Sequence, residues 1–309
     1  MEKRRLGQSD LYVTKLGLGC MSLGTDEKKA MEIIDVALNA GINFFDTADL
    51  YDYGVNEKIV GNALKPVRDQ VIIATKAGNR WGEDKNGWFW DASKEYIKEA
   101  AKQSLKRLGT DYIDLLQLHG GTMEDPIDET IEAFEELKEE GIIRYYGISS
   151  IRPTVIKEYS KRSSIVSVMM QYSLLDRRPE EQAMPLLMDA GISVIARGPL
   201  AKGLLSEKLL DKANDTIQEK GYLDYSYHEL EKLLPKLKEK AASFGRTMTS
   251  LALQFVLANP VIATCVAGAS SIKQVLENVK AAESSPLSEE EWEELKRITK
   301  HEGYKVHRL

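Results

Sequence analysis

Two textures alternate along this chain. Helical stretches such as Asp26–Ala40, Ser93–Leu108, Asp128–Glu140 and Thr249–Asn259 are each followed, sooner or later, by a short and almost wholly apolar run. Glycine often marks the change, as in Asn39-Ala40-Gly41-Ile42, Glu139-Glu140-Gly141-Ile142 and Asp189-Ala190-Gly191-Ile192. Glycine is the residue that most readily takes the left-handed conformation ending a helix, so these points predict helix stop and strand start. The apolar runs predict strands at Lys15–Gly19, Asn43–Asp46, Val71–Lys76, Tyr112–His119, Tyr145–Ser149, Val166–Gln171, Ser193–Arg197 and Ala263–Gly268. Strands this apolar are covered on both faces, as in parallel sheets whose crossovers are helices. Eight strand–helix pairs in a chain of this length predict an α/β fold, a (β/α)8 barrel of the TIM type. The opening residues predict a hairpin of Lys3–Leu6 with Tyr12–Thr14 that caps the barrel bottom. Ser206–His228 reads as an irregular excursion over the barrel mouth. The acidic run Glu289–Glu294 reads as the solvated first turn of a terminal helix.

The 309 residues are enough for two average domains, but no linker, composition shift or low-complexity segment divides them. One barrel domain over 1–309 is therefore expected. The chain has 42 basic and 48 acidic residues, a net charge of −6, and no block of Lys and Arg. That balance argues against a nucleic-acid or anionic-membrane surface. No run of about 18 apolar residues predicts a membrane helix. The charged start Met1–Gly7 leads into no apolar stretch, so no signal peptide is expected. Cys20 and Cys265 lack a CxxC partner. They read as buried thiols of a reducing cytoplasm and offer no metal site.

In barrels of this kind chemistry sits at the C-terminal ends of the strands. The second strand ends on Asp46 and is followed by Thr47-Ala48-Asp49-Leu50-Tyr51, the third on Lys76, the fourth on His119. Each residue alone could cap, pack or face solvent. Together, a lysine and a histidine at neighbouring buried strand ends are costly unless paired. A tyrosine is a poor acid at neutral pH unless an adjacent ammonium favours its phenolate. Asp46 would anchor Lys76 through a charge-assisted bond, and His119 would orient a substrate oxygen. This is acid–base equipment for a carbonyl–alcohol pair. It contains no nucleophile and no metal-ligand spacing, so the electrons must come from a cofactor.

At these residues the sequence resembles the aldo-keto reductase family, from Leu16-Gly17-Leu18-Gly19-Cys20-Met21 to Glu277-Asn278. Phe45-Asp46-Thr47-Ala48-x-x-Tyr51 is the most specific segment, and the likeness is closest to the bacterial branch related to general stress reductases and potassium-channel β subunits. The resemblance implies that Tyr51 is the proton donor, Lys76 its activator, Asp46 the support of Lys76, and His119 the group that orients the carbonyl. It implies a nicotinamide cofactor held at Gly19, Met21, Asp46, Ser149, Ser150, Gln171, Arg197, Gly198, Pro199, Leu200, Lys202, Gly203, Gly268, Ser270, Lys273, Gln274, Glu277 and Asn278. Three positions depart from the family pattern. Ser150 replaces a common Asn, and capping of the next helix is the other reading of Ser149 and Ser150. Arg197 replaces a stacking aromatic, and its planar guanidinium can also stack. The helix start at Ser271 and Gln274 lacks the Arg or Lys that often holds the 2′-phosphate of NADP, leaving Lys273. NADP(H) is expected, with NAD(H) the alternative. Lys202 either meets the pyrophosphate or is solvated, and Tyr172 either packs or lines the site.

The loop Ala77–Trp90 holds three of the four tryptophans, Trp81, Trp88 and Trp90, directly after Lys76. Long loops at a barrel mouth usually carry function. Trp81 and Trp88, with Tyr51 and His119, are the expected substrate contacts, and apolar aldehydes the expected substrates. Two other classes remain. A cofactor-binding regulatory protein like the β subunits is opposed by the complete set of four residues. A lyase or isomerase would leave Gln171 and the Gly268 loop without a role. Physiological substrate and oligomeric state are not legible.

Overall fold

Why the chain closes on itself follows from strands that have no polar face to offer water. The computed structural model describes residues 1–82 and 84–309; Glu83, part of the tryptophan-bearing loop, lies outside the described residues. In chain order the elements are β1 (Lys3–Arg5), β2 (Tyr12–Thr14), β3 (Leu16–Gly19), α1 (Glu27–Asn39), β4 (Phe44–Asp46) and α2 (Val55–Leu64). There follow β5 (Ile72–Ala77), β6 (Asn79–Arg80), β7 (Phe89–Trp90), α3 (Lys94–Leu108), β8 (Ile113–Leu118) and α4 (Ile127–Glu139). Next come β9 (Ile143–Ser149), α5 (Pro153–Arg162), β10 (Ser167–Gln171), α6 (Ala183–Asp189) and β11 (Ser193–Arg197). The chain ends with α7 (Asp215–Lys220), α8 (Tyr227–Ser243), α9 (Met248–Leu257), β12 (Ile262–Gly268), α10 (Ile272–Glu283) and α11 (Glu289–Ile298).

Eight strands form a closed parallel barrel in the order β3-β4-β5-β8-β9-β10-β11-β12 and back to β3. All eight expected strands are there, with bounds moved by one or two residues at most. The three glycines that punctuate the sequence follow α1, α4 and α6 with φ of 84°, 73° and 67°, at Gly41, Gly141 and Gly191. Side-chain caps start the other ends: Asp26 on α1, Ser93 on α3, Thr247 on α9 and Ser271 on α10. The acidic run opens α11, where Ser288 and Glu291 close a reciprocal capping box.

The expected hairpin is β1 paired with β2, and it plugs the bottom of the barrel. Leu6, Leu11 and Val13 join Phe44, Ile72, Leu115, Val166, Met169 and Ile195 in the cluster inside the ring. Arg4 fastens the hairpin to the β12 end by donating to the carbonyls of Leu257 and Ile262 at 3.1 and 3.0 Å. A second, larger cluster lies between the barrel wall and the helices. The excursion Ser206–His228 departs from the irregular reading. Asn214 caps α7 by accepting from Ile217 N at 3.0 Å, and the first residues of α8 belong to it as well.

Helices α2 and α3 pack closely where α2 meets the end of α3. A Cβ on Gly61 would sit 2.1 Å from the carbonyl oxygen of Leu108, so backbone touches backbone there. Gly61→Ala is therefore expected to destabilise the fold by about 1–3 kcal/mol, the usual cost of forcing extra volume into a packed core. Urea denaturation of the two proteins checks this. An unchanged midpoint would mean that the α2–α3 contact opens freely.

Candidate active site

Lys76, near the end of β5, is the largest charged side chain in the barrel interior, and only 1% of it is exposed. An ammonium carries three donors and no acceptor. All three are used: by Asp46 Oδ2 at 2.8 Å, the Thr47 carbonyl at 2.7 Å and the Tyr51 hydroxyl oxygen at 3.1 Å. Because Lys76 cannot accept, the Tyr51 oxygen is the acceptor in that bond. Its own hydrogen is thereby left for another partner, and among the described residues none takes it. Burial alone disfavours the Lys76 charge, but the neighbouring Asp46 carboxylate and Tyr51 oxygen outweigh it and hold the lysine above its ordinary pKa.

Tyr51 reaches this position because the chain after β4 folds back sharply. Thr47 N bonds to the Ala74 carbonyl, and Asp49 N to that of Lys76. Asp52 and Tyr53 then both take left-handed backbone, with φ of 49° and 50°. Strain of this kind persists only where surroundings over-determine it. Here α2 supplies the anchors. Asn56 accepts from Thr47 Oγ1 at 2.7 Å, and Glu57 accepts from Thr75 Oγ1 and Arg107 Nε at 2.6 Å each. His119 stands edge-on to the Tyr51 ring with centroids 6.0 Å apart. Burial, with the Lys76 and Arg197 charges, pulls its imidazole down to a pKa of about 3, so the ring is neutral at physiological pH.

The cofactor candidates occupy the rest of the rim. Ser149, Gln171 and Arg197 end the adjacent strands β9, β10 and β11, where Arg197 Nη1 donates to Gln171 Oε1 at 3.1 Å. Gly198, Pro199, Leu200, Lys202 and Gly203 form the following turn, with Lys202 exposed. Gly268 lies in register with Gly19 across β12 and β3, and exposed Met21 follows Gly19. Gln274 folds back on the α10 start, its side-chain oxygen accepting from Ser270 N at 2.8 Å. Lys273 and Glu277 are exposed and face each other at 3.7 Å, while Asn278 is buried. Ser150 is buried and accepts from Arg152 N at 3.2 Å; it turns the loop, and the cap of α5 falls at Arg152. Tyr172 is fully buried, bonded to Glu180 and packed near Phe255, which makes it a packing residue.

A cavity of about 700 Å³ opens beside His119. Trp88 and Trp90 line it, and Trp81 is not among its walls. Trp81 lies instead on Tyr53 and under the Arg107 guanidinium. Trp90 is seated by Gly78 and Gly120, where a Cβ would come within 2.7 and 2.9 Å of its ring, and by an Nε1 bond to Asp125.

A family model for the aldo/keto reductase family matches residues 15–300. The chain belongs to that family. It is 59% identical over the whole of both chains to an uncharacterised oxidoreductase of Bacillus subtilis, YqkF. It is 32% identical to the NADH-specific methylglyoxal reductase of Escherichia coli, covering 91% of this chain and 93% of that one. Among solved structures, the holo form of aldo-keto reductase AKR11C1 from Bacillus halodurans superimposes with a TM-score of 0.94 at 58% identity over all of both chains. As an aldo/keto reductase, the protein is a nicotinamide-dependent oxidoreductase with a TIM-barrel fold. No helix among the described residues is long and apolar enough to cross a membrane. No cluster of metal-ligating side chains occurs among them either.

Several participants carry no signal in the sequence. Gln117 leans on Asp46 Oδ1 from β8 at 3.4 Å. Arg152 and Arg178 line the cavity together with Gly303–His307 of the C-terminal tail. The tail is laid there by Lys305 on Asp224 at 2.7 Å and by the His307 carbonyl, which accepts from Thr154 N at 3.2 Å.

His119 gives a direct test of how dry and positive this mouth is. Its folded pKa lies below the free value of 6.5, so the unfolded chain binds this proton first as pH falls. The NMR signals of its ring should show no protonation between pH 8 and 5. A titration near the free value would show a wet site with the cationic field screened out.

Proposed function

We propose that this protein reduces aldehydes or ketones to alcohols with NADPH, and that Tyr51 delivers the proton. The observation that carries the reading is the Lys76 shell, in which a buried ammonium donates to the Tyr51 oxygen and leaves the hydroxyl hydrogen without a partner among the described residues. When bound, the nicotinamide supplies the hydride. Lys76 stabilises the phenolate left as Tyr51 gives up its proton, Asp46 holds Lys76 charged, and neutral His119 steers the carbonyl oxygen toward Tyr51.

The rim suits an elongated dinucleotide. The tetrad uses β4, β5 and β8, and the cofactor candidates end the remaining strands, which are contiguous from β9 round to β3. Ser149 and Gln171 offer donors and acceptors of the kind a carboxamide needs, beside the planar Arg197. Glycines 198, 203, 19 and 268 keep the rim low for a pyrophosphate. The start of α10 adds unpaired backbone N–H groups for the adenosine phosphate. Trp88 and Trp90 give the carbonyl side an apolar wall, and Trp81 supports it from behind through Tyr53. The whole chain acts as one unit in the cytoplasm on this reading.

Mixing the purified protein with NADPH or NADH and a panel of aldehydes, and following cofactor absorbance, tests the reading directly. Tyr51→Phe should lower kcat by about 10²–10⁴-fold and leave cofactor affinity nearly unchanged, since only the proton is removed. Turnover within a few-fold of the parent would remove Tyr51 from the proton path.

Lys273 is the cation that the start of α10 offers to the expected 2′-phosphate, and a relative from Escherichia coli is named for NADH, so cofactor choice varies within reach of this sequence. The Lys273 ammonium is exposed and shared with Glu277. Its contribution should therefore be that of a screened surface charge. Lys273→Ala is expected to raise the dissociation constant of NADPH about fivefold and to leave NADH unchanged. Equal weakening of both cofactors, by fluorescence titration, would assign the phosphate contact elsewhere.

A further inference from the structure

The cavity beside His119 is lined by Arg152, Arg178, Arg197 and Lys305, against one carboxylate, Asp224. These cations are not equivalent. Lys305 is neutralised by Asp224 at 2.7 Å, and Arg178 makes a forked pair with Asp176 at 2.7 and 2.8 Å. Arg197 is engaged by Gln171 on the cofactor side of the rim. Arg152 is left. Among the described residues it makes no ion pair, and its one side-chain bond is from Nη1 to the Gly121 carbonyl.

That bond matters for what Arg152 can do. It orients the guanidinium from the loop after β9 toward the wall formed by Gly120 and Gly121, the wall that also carries His119 and Trp90. Neither Nε nor Nη2 has a partner among the described residues. A half-buried guanidinium with a spare fork and no carboxylate partner is an unfinished ion pair. In a concave, partly dry site its field is focused and not screened away.

We propose that the site takes carbonyl compounds that also carry an anionic group, a carboxylate or phosphate, and that Arg152 is the specificity-determining residue that binds it. This rests on the reductase reading above and deepens it. The carbonyl points to Tyr51 and His119, the body of the substrate lies against Trp88 and Trp90, and the anion completes the Arg152 fork. Arg is suited to this because its planar donors match both oxygens of a carboxylate, which a lysine cannot do.

The test uses 4-formylbenzoate and its methyl ester, two aldehydes of nearly one shape that differ in charge, with NADPH and the full chain. The parent protein should prefer the acid by tenfold or more in kcat/KM, mainly through KM. Arg152→Gln should lower kcat/KM for the acid at least tenfold more than for the ester, and Arg152→Lys should fall between. Equal kcat/KM for acid and ester in the parent, or a preference that survives Arg152→Gln, would overturn the inference while leaving the reductase standing. Consumption of NADPH with neither compound nor any other aldehyde would overturn the reductase reading and this inference with it.

Discussion

An ammonium buried in a barrel must have its charge and its three hydrogens answered from nearby, and at Lys76 the rest of the active site is arranged as that answer. Taking such an ion out of water costs several kcal/mol even after the protein relaxes. Asp46 returns the charge, the Thr47 carbonyl takes a second hydrogen, and the Tyr51 oxygen takes the third. Removing a partner from a buried pair of this kind typically costs about 3–5 kcal/mol. The chain after β4 therefore has to fold back over β5, and the left-handed backbone at Asp52 and Tyr53 is the local expense of doing so. Buried Asn56 and Glu57 hold the fold-back from below. Tyr51 is positioned by the needs of a lysine.

Stability and chemistry are divided between the two ends of the barrel. Leu6, Leu11 and Val13 seal the bottom, so the strand tops need not close the ring with apolar side chains. Asp46, Lys76 and Gln117 can then project inward at the top, where a barrel without a plug would need packing. Asp46, Tyr51, Lys76 and His119 come from one arc of the rim, and the proposed cofactor path takes the longer arc, from β9 through β12 to β3. The β6–β7 hairpin, which carries Trp90, and the C-terminal tail both line the cavity.

Much of this is legible in the sequence because it is local. Apolar runs, the glycines at 41, 141 and 191, and the residues ending each run are all set within a few positions, so strands and tetrad can be read before any contact is known. What escapes depends on distant partners. The tail beyond α11 is polar and aperiodic, and distant partners such as Asp224, Thr154, Glu181, Gln182 and Tyr225 explain its place. Trp81 shares its loop with Trp88 and Trp90, but Arg107 and Tyr53 draw it away from the cavity, and neither is its neighbour in sequence. Arg152 looks like any loop arginine until the carboxylates nearby prove to be taken by others. The helix α7 hides in an apparently irregular stretch because a single capping Asn and a six-residue run give almost no periodic signal.

Charge in the mouth is tuned by withholding it as well as by supplying it. The pairs Asp46–Lys76 and Glu57–Arg107 each cancel within themselves. A further carboxylate, Asp49, is buried beside Glu57, and burial with that like charge pushes its pKa up to about 8. At neutral pH it is largely protonated, so it adds no negative charge behind Tyr51. His119 answers the opposite pressure, giving up its proton in a site that already holds Lys76 and Arg197. The two groups oppose each other in the pH dependence of folding. Between its free value of 3.8 and about 8, Asp49 holds more proton folded than unfolded, so its contribution weakens as pH rises. Between about 3 and 6.5, His119 holds less, so its contribution strengthens as pH rises. Near neutrality both sit in the uncharged form. The positive potential of the mouth is then set by Arg197 and Arg152, the cavity-lining cations that pair with no carboxylate among the described residues.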